Sequence, residues 1–93
     1  MNMVKIKFLA RFKDITGEKK VEFDFNGELS GLIDVLFKKY GNKFKESLLN
    51  DEGLFRDYVK ILINGEDIAQ INGLKSPIHN DDEIIIFQTI AGG

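Results

Sequence analysis

The side chains that most often do chemistry in proteins are scarce in this 93-residue chain. It has no cysteine, which excludes disulfides, thiolate metal sites and a cysteine nucleophile. Its one histidine, His79, precedes the acidic run Asp81-Asp82-Glu83. A catalytic imidazole needs a nucleophile or an orienting partner, and a hard cation needs a wrapped set of oxygen ligands. We therefore interpret this stretch as an exposed turn and predict no metal site.

Motifs that activate a serine or cradle a phosphate are also missing. The sequence contains no G-x-S-x-G, no G-x-G-x-x-G and no G-x-x-x-x-G-K-[ST]. No constellation of side chains could therefore run a reaction. We predict a protein that is not an enzyme by itself, that binds no cofactor of its own and that acts with a partner.

The last residues, Ala91-Gly92-Gly93, carry the clearest chemical potential. Glycine is slim and conformationally permissive, so such an end could thread a narrow channel that a bulkier tail could not enter. Its carboxylate becomes a useful acyl donor only after conversion to a species with a good leaving group, such as an acyl-adenylate. Glycine-rich ends also occur because termini fray. The position of this end, directly after the last predicted strand, makes the functional interpretation more specific.

The elements that would carry this end begin with an alternating segment at residues 4–12. Its even positions are apolar, and its odd positions include the basic residues Lys5, Lys7 and Arg11. Alternation predicts a strand, whose basic face is either the solvent side with edge-protecting charges or a contact surface for an acidic partner. Residues 21–25 alternate likewise and complete a hairpin with this strand.

The middle of the chain changes from strand to helix periodicity. Apolar residues at helical spacing predict one amphipathic helix over residues 29–40, followed by Gly41 as a cap. A short second helix around Phe44 and an exposed loop near residues 50–53 are possible. Asn64-Gly65 predicts a hairpin turn. Four consecutive apolar residues, 84–87, predict a central strand that is covered on both faces.

These elements predict an α+β fold: a roll with a mixed sheet of four or five strands and one main helix packed on one face. We predict a single domain over residues 1–93, with a flexible tail at residues 88–93. The net charge of −2 gives no excess of cations for nucleic-acid binding. No apolar run approaches the ~20 residues that span a bilayer, and no signal peptide is recognisable. We therefore expect a cytoplasmic protein.

Particular residues along nearly the whole chain carry a family resemblance. They are the segment 4–17, the helix positions Leu29, Leu32, Ile33, Leu36 and Tyr40, the turn Ile63-Asn64-Gly65, the strand entry Asp82-Glu83-Ile84, and Phe87 with Ala91-Gly92-Gly93. In these features the chain resembles the small, ubiquitin-like sulfur-carrier family, and most closely the small subunits of molybdopterin synthases. The resemblance implies the β-grasp fold, with the first and last strands parallel at the centre of the sheet.

The resemblance also implies a function and partners. An adenylating enzyme would use ATP to activate the carboxylate of Gly93, and a sulfur donor protein would then allow its conversion to a thiocarboxylate. The segment Ile90, Ala91 and Gly92 would be narrow enough to enter the active site of a large synthase subunit. There the sulfur would pass to a pterin precursor of the molybdenum or tungsten cofactor. Phe87 would form part of the docking surface.

Two departures from the family pattern leave alternatives open. Many members have Pro-Pro-Val where this chain has Gln88-Thr89-Ile90, so this tail is expected to be more adaptable. The stretch 50–57 also looks longer than the minimal family core. The alternatives are a protein modifier joined to lysines through Gly93, a sulfur carrier for thiamine synthesis or tRNA thiolation, and an interaction module whose terminus is incidental.

Overall fold

The strands and helices follow the predicted order, with additions between them. The computed structural model describes residues 2–89; Met1 and residues 90–93 lie outside the described part. The elements in chain order are β1 (Val4–Phe8), α1 (Arg11–Thr16), β2 (Lys20–Phe23), β3 (Gly27–Glu28), α2 (Leu29–Tyr40), α3 (Asn42–Leu48), β4 (Val59–Ile63), β5 (Glu66–Asp67), two 3₁₀ turns (Ile68–Gln70 and Gly73–Lys75), β6 (Pro77–Ile78) and β7 (Glu83–Gln88).

The main sheet has five strands in the order β2-β1-β7-β4-β5. β1 and β7 run parallel at its centre, with Ile6 opposite Ile84, while the other neighbours in this sheet are antiparallel. At the β4–β5 turn, Asn64 and Gly65 both have positive φ, as the predicted two-residue hairpin requires. The predicted mixed sheet and the parallel central pair are therefore confirmed.

One face of the sheet packs against α2, as predicted. Alternate strand residues and one stripe of the helix are buried together in a single core cluster, which includes Val4, Ile6, Phe8, Leu32, Ile33, Leu36, Ile61, Ile84 and Ile86. Burial of these apolar side chains is the main contribution to the stability of a fold without disulfides.

The predicted strand over residues 4–12 is wrong beyond Phe8. The chain turns at Ala10, which has φ 52° and ψ −125°, and then forms α1 up to the left-handed Gly17. Phe12 is buried in α1. An apolar residue at this position is therefore consistent with the buried side of the helix as well as with the predicted strand. The connection between β1 and β2 is therefore a helical turn rather than a simple hairpin loop.

The possible second helix exists as α3, and an aromatic cluster holds it. The Phe44 ring lies 5.6 Å from the rings of Phe12 and Tyr40 and 5.9 Å from that of Phe8. The Tyr40 hydroxyl donates to the Glu18 carboxylate. Burial raises the pKa of Tyr40, and the hydrogen bond and charge of Glu18 raise it further.

The prediction that β7 is covered on both faces is wrong, although its central position is confirmed. Ile84 and Ile86 are buried against the core, whereas Ile85 and Phe87 are half-buried on the other face. That second face is named the outer face here; it consists of Lys5, Lys7, Lys60, Leu62, Glu83, Ile85 and Phe87. In residues 2–89 no helix is long and apolar enough to cross a bilayer.

Candidate functional site: the outer face and the tail exit

The last described residues fix where the tail leaves the domain. Gln88 is the final residue of β7 and pairs with Val59, so the first residue of the predicted tail lies in the sheet. The Thr89 backbone N–H donates to the Tyr58 carbonyl at 2.8 Å, and its hydroxyl donates to the same oxygen at 3.3 Å. The predicted tail residues Ile90, Ala91, Gly92 and Gly93 lie outside the described residues.

The apolar centre of the outer face lies next to this exit. Ile85 pairs with Leu62 across β7 and β4, and Phe87 pairs with Lys60. All three apolar side chains are only half-buried. Phe87, predicted as a docking residue, therefore belongs to an accessible apolar strip that ends where the tail begins.

Charged residues of both signs border this strip. The Lys7 ammonium lies 3.3 Å from the Glu83 carboxylate, and the Lys60 ammonium lies 3.6 Å from Asp67. Lys5 is exposed and lies opposite Glu83 in the register of β1 and β7. The predicted basic face is thus corrected to a mixed one. Exposed ion pairs of this kind contribute little to stability, so their pairing mainly reduces the net field over the strip.

A groove rimmed by lysines lies where β1 ends. Leu9, 47% exposed, and Phe8 line it together with Lys7, Lys13, Lys19 and Lys20, and its volume is about 280 Å³. We name it the lysine groove. Lys13, Lys19 and Lys20 were not among the predicted docking residues, because only the fold brings α1 and the start of β2 beside Leu9. The adjacent pair Lys19-Lys20 was the one signal in the sequence.

Arg11 lies apart from Lys5 and Lys7, because it begins α1 instead of continuing β1. It lines a pocket of about 320 Å³ with Lys43, Glu46, Ser47, Arg56 and Tyr58. Tyr58 is the residue that receives the hydrogen bonds of Thr89. Arg11 therefore remains a candidate docking residue beside the tail exit, in a different cluster from the one predicted.

The stretch around His79 is an exposed turn, as predicted. The His79 side chain is 70% exposed. Asp82 accepts hydrogen bonds from the His79 backbone N–H at 2.7 Å and from the Asn64 amide at 2.9 Å. Asp82 thus connects the β4–β5 turn to the start of β7. Across residues 2–89 there is no cluster of acidic or histidine side chains that could hold a metal ion.

Within the described residues, the arrangement offers surfaces for docking. Apolar contacts near the tail exit come from Phe87, Leu62, Ile85 and Leu9. Positive charge comes from the lysines beside Leu9 and from Arg11 at the tail exit. Aromatic and arginine side chains are frequent anchors in protein interfaces. The surface beside the tail exit therefore has the features of a protein-docking site.

Comparison with known proteins agrees with this arrangement. The sequence profile of the ThiS family matches residues 6–93. Small archaeal modifier protein 3 of Haloferax volcanii is 22% identical over 92 residues, which cover 97% of this chain and 98% of the relative.

Two solved structures share the fold. A chain of the Amycolatopsis orientalis BexX/CysO complex matches with a TM-score of 0.79 and 23% identity, covering 97% of this chain and 99% of that one. A Pyrococcus furiosus structure, provisionally described as molybdopterin converting factor subunit 1, matches with a TM-score of 0.74 and 24% identity, covering 97% and 100%. The chain therefore belongs to the ThiS family of ubiquitin-like sulfur carriers and has the β-grasp fold.

Proposed function

We propose that this protein carries sulfur on the carboxylate of Gly93. A partner enzyme adenylates the carboxylate with ATP and releases pyrophosphate. Hydrosulfide, provided by a sulfur donor protein, then attacks the carbonyl carbon, breaks its bond to the AMP phosphate oxygen and leaves a thiocarboxylate and AMP. The observation that supports this proposal most strongly is the family match, which continues through the last residue, Gly93.

The described residues support a separation between a surface that docks the partner and a C-terminus that reacts. The surface around the tail exit offers apolar anchors, and Thr89 is held to Tyr58, so a docked enzyme would receive the tail from a defined point. Ile90, Ala91, Gly92 and Gly93 would enter the partner active site because three of these four side chains are small or absent. Phe87 and Leu9 would anchor the complex, while Arg11 and the lysines beside Leu9 would favour an acidic partner surface.

For the pathway, we propose molybdenum or tungsten cofactor synthesis, with this chain as the sulfur-donating subunit of molybdopterin synthase. The resemblance along residues 4–17 supports this choice, and the Pyrococcus furiosus structure agrees with it in fold, which the other candidate functions share. The chain would then bind two partners in turn through one surface, first the adenylating enzyme and afterwards the large synthase subunit. It would itself hold neither ATP nor metal.

A second candidate function is protein modification. It is favoured by the Haloferax volcanii relative, which is named a modifier and aligns over nearly its whole length. Modification would use the same adenylated Gly93 but would end in an amide bond to a lysine of another protein. The two candidates therefore differ in the nucleophile that attacks the activated carbonyl.

Intact-mass spectrometry tests the first step common to the sulfur pathways. The purified chain is incubated with its adenylating enzyme, ATP and a sulfide source. The expected result is the mass change of one oxygen replaced by sulfur, dependent on ATP. Recovery of unmodified protein with an enzyme that does release pyrophosphate would contradict the sulfur-carrier proposal.

A second assay separates the two candidates. The thiocarboxylated chain is mixed with the large synthase subunit and the pterin precursor, and the unmodified chain is mixed separately with cell extract and ATP. Formation of the dithiolene product with recovery of the free carboxylate supports the molybdopterin role. Covalent ladders that carry the Gly93–lysine amide, without sulfur transfer, would favour modification instead.

A further inference from the structure

Exposed apolar side chains concentrate in a part of the surface that the proposed function does not use. Four large apolar side chains are exposed among residues 2–89, and three of them are Leu54 at 60%, Leu74 at 38% and Ile71 at 37%. They belong to two segments, residues 50–57 and 66–75, which follow α3 and β4 respectively. Single exposed apolar residues are normal, but a group of them marks an interaction site.

The two segments form the walls of a groove. Gly53, Leu54 and Phe55 line one wall, and Ile68, Ala69, Gly73 and Leu74 line the other, around a volume of about 330 Å³. We name it the acidic groove, for the residues described below. It lies beyond β5, at the opposite edge of the sheet from β2 and the lysine groove. Neither Phe87 nor Leu9 lines it.

Hydrogen bonds hold both walls in place without a ligand. The Asn50 side-chain oxygen accepts from the backbone N–H groups of Glu52 at 2.9 Å and Leu54 at 3.1 Å. On the other wall, the Asp67 carboxylate accepts from the Ala69 N–H at 2.9 Å, which caps the first 3₁₀ turn. The loop that looked longer than the family core is therefore an organised structure that presents Leu54 to solvent. A preformed groove binds with less loss of conformational entropy.

The charge of these segments indicates what kind of partner fits. They contain five carboxylates and two cations: Asp51, Glu52, Asp57, Glu66 and Asp67 against Arg56 and Lys75. The Arg56 guanidinium donates to the Glu46 carbonyl at 2.6 Å, on the side of the tail exit. Lys60, 3.6 Å from Asp67, adds a third cation, so five carboxylates against three cations leave an excess of two negative charges around the groove. Complementary charge directs association and excludes partners of like charge.

We propose that the acidic groove is a second docking site, which binds a polypeptide segment with apolar side chains flanked by lysine or arginine. The apolar side chains contact Leu54 and Leu74, and the flanking cations lie near the carboxylates of the two segments. Because neither Phe87 nor Leu9 lines this site, it is distinct from the surface proposed to dock the enzyme that acts on the tail.

The test uses the full chain, labelled with ¹⁵N, and three synthetic peptides. The first has two leucines spaced three residues apart among lysines; the second has serine for leucine, and the third has glutamate for lysine. The first peptide is expected to shift the amide signals of Gly53, Leu54, Ala69 and Gly73. The serine and glutamate peptides are expected to bind at least tenfold more weakly.

Two variants test whether the peptide binds at the acidic groove. Leu54→Ser, at an exposed position that the core does not need, is expected to weaken the first peptide at least tenfold with an unchanged melting temperature. Leu9→Ser, the matched change in the lysine groove, is expected to leave the affinity unchanged. Shifts elsewhere, equal binding of the serine or glutamate peptide, or full affinity in Leu54→Ser would overturn the proposal.

Sedimentation velocity of the unliganded chain tests the other occupant, a second copy. The lysine groove of one molecule has the charge that would suit the acidic groove of another. A monomer over a wide concentration range is expected. A concentration-dependent dimer that Leu54→Ser abolishes would assign the groove to self-association and overturn the proposal of a separate basic partner.

Discussion

The lysine groove and the acidic groove have similar volumes, about 280 and 330 Å³, and each exposes leucine side chains, yet their charged neighbours are opposite in sign. The lysine groove lies at the end of β1, on the side of the central strands from which the tail leaves. The acidic groove lies beyond the edge strand β5. The two grooves are therefore similar in volume but would suit partners of opposite charge, and Leu9, which hydrogen-bonds to Ile86 of β7, lines only the lysine groove.

The largest effect is expected from a change in the core that both grooves share. Phe8→Ala should lower the free energy of unfolding by about 3–5 kcal/mol, because Phe8 is fully buried and packs edge-to-face on Tyr40 and Phe44. Urea unfolding followed by fluorescence measures this change. Both partner interactions should fail together as the fold is lost. A stable variant that loses one interaction alone would show that Phe8 acts locally.

The next largest effect should separate the grooves. Leu9→Asp is expected to weaken binding of the adenylating enzyme at least tenfold, because it places a carboxylate in an apolar anchor position. Leu54→Asp should leave that binding unchanged and weaken the basic peptide instead. Calorimetric titration of both variants with both ligands measures the four affinities. If either variant weakens both ligands equally at unchanged stability, the two grooves are not independent sites.

A smaller effect is expected from charge alone. The double substitution Lys19→Glu with Lys20→Glu should slow association with the adenylating enzyme several-fold and reduce its dependence on salt, because rim charges mainly affect the association rate. Stopped-flow measurements at two ionic strengths give these rates. Lys75→Glu, on the acidic side, is the control and should change neither. Equal slowing by the control would mean that net charge, not the lysine groove, sets the rate.

The smallest effect concerns the turn that places Leu9 next to α1. Ala10 has φ 52° and ψ −125°, a conformation that glycine adopts with less strain. Ala10→Gly should therefore raise the free energy of unfolding by up to about 1 kcal/mol. Ala69→Gly, in a 3₁₀ turn without positive φ, should lower it by about 0.5–1 kcal/mol. Thermal unfolding measures the stability of both variants. A loss of stability in Ala10→Gly equal to that in Ala69→Gly would show that the backbone at Ala10 is not strained.

The elements that could be predicted from the sequence are those whose signal is local. The helix at Leu29–Tyr40 repeats its apolar stripe over three turns, and Asn64-Gly65 has the turn chemistry of a hairpin. Helix α1 was missed because Phe12 satisfies strand and helix periodicity alike. The pairing of β3 with β6 was missed because two residues in each strand carry no periodicity, and their partners are distant in the chain.

The residues of the candidate site could likewise be predicted only where their sequence signal is local. Alternation along β1 predicted that Lys5 and Lys7 share one face, and both lie on the outer face. The continuous apolar run 84–87 carries no alternation, so the face that Phe87 occupies could not be predicted from it. Arg11 was assigned to the face of Lys5 and Lys7 only because the strand was extended too far. The acidic groove could not be predicted, because it joins segments on either side of β4, and exposed leucines in a loop look no different in sequence from buried ones.

The central claim is that the scaffold and the reactive end are separable, and deletion of Gly92 and Gly93 tests it most directly. One preparation of each chain is measured for its melting temperature and, after incubation with the adenylating enzyme, ATP and sulfide, for its intact mass. The expected result is an unchanged melting temperature, because the described core and sheet are formed before residue 90, with no sulfur incorporated. Sulfur uptake by the shortened chain, or unfolding that accompanies the loss of uptake, would contradict the account.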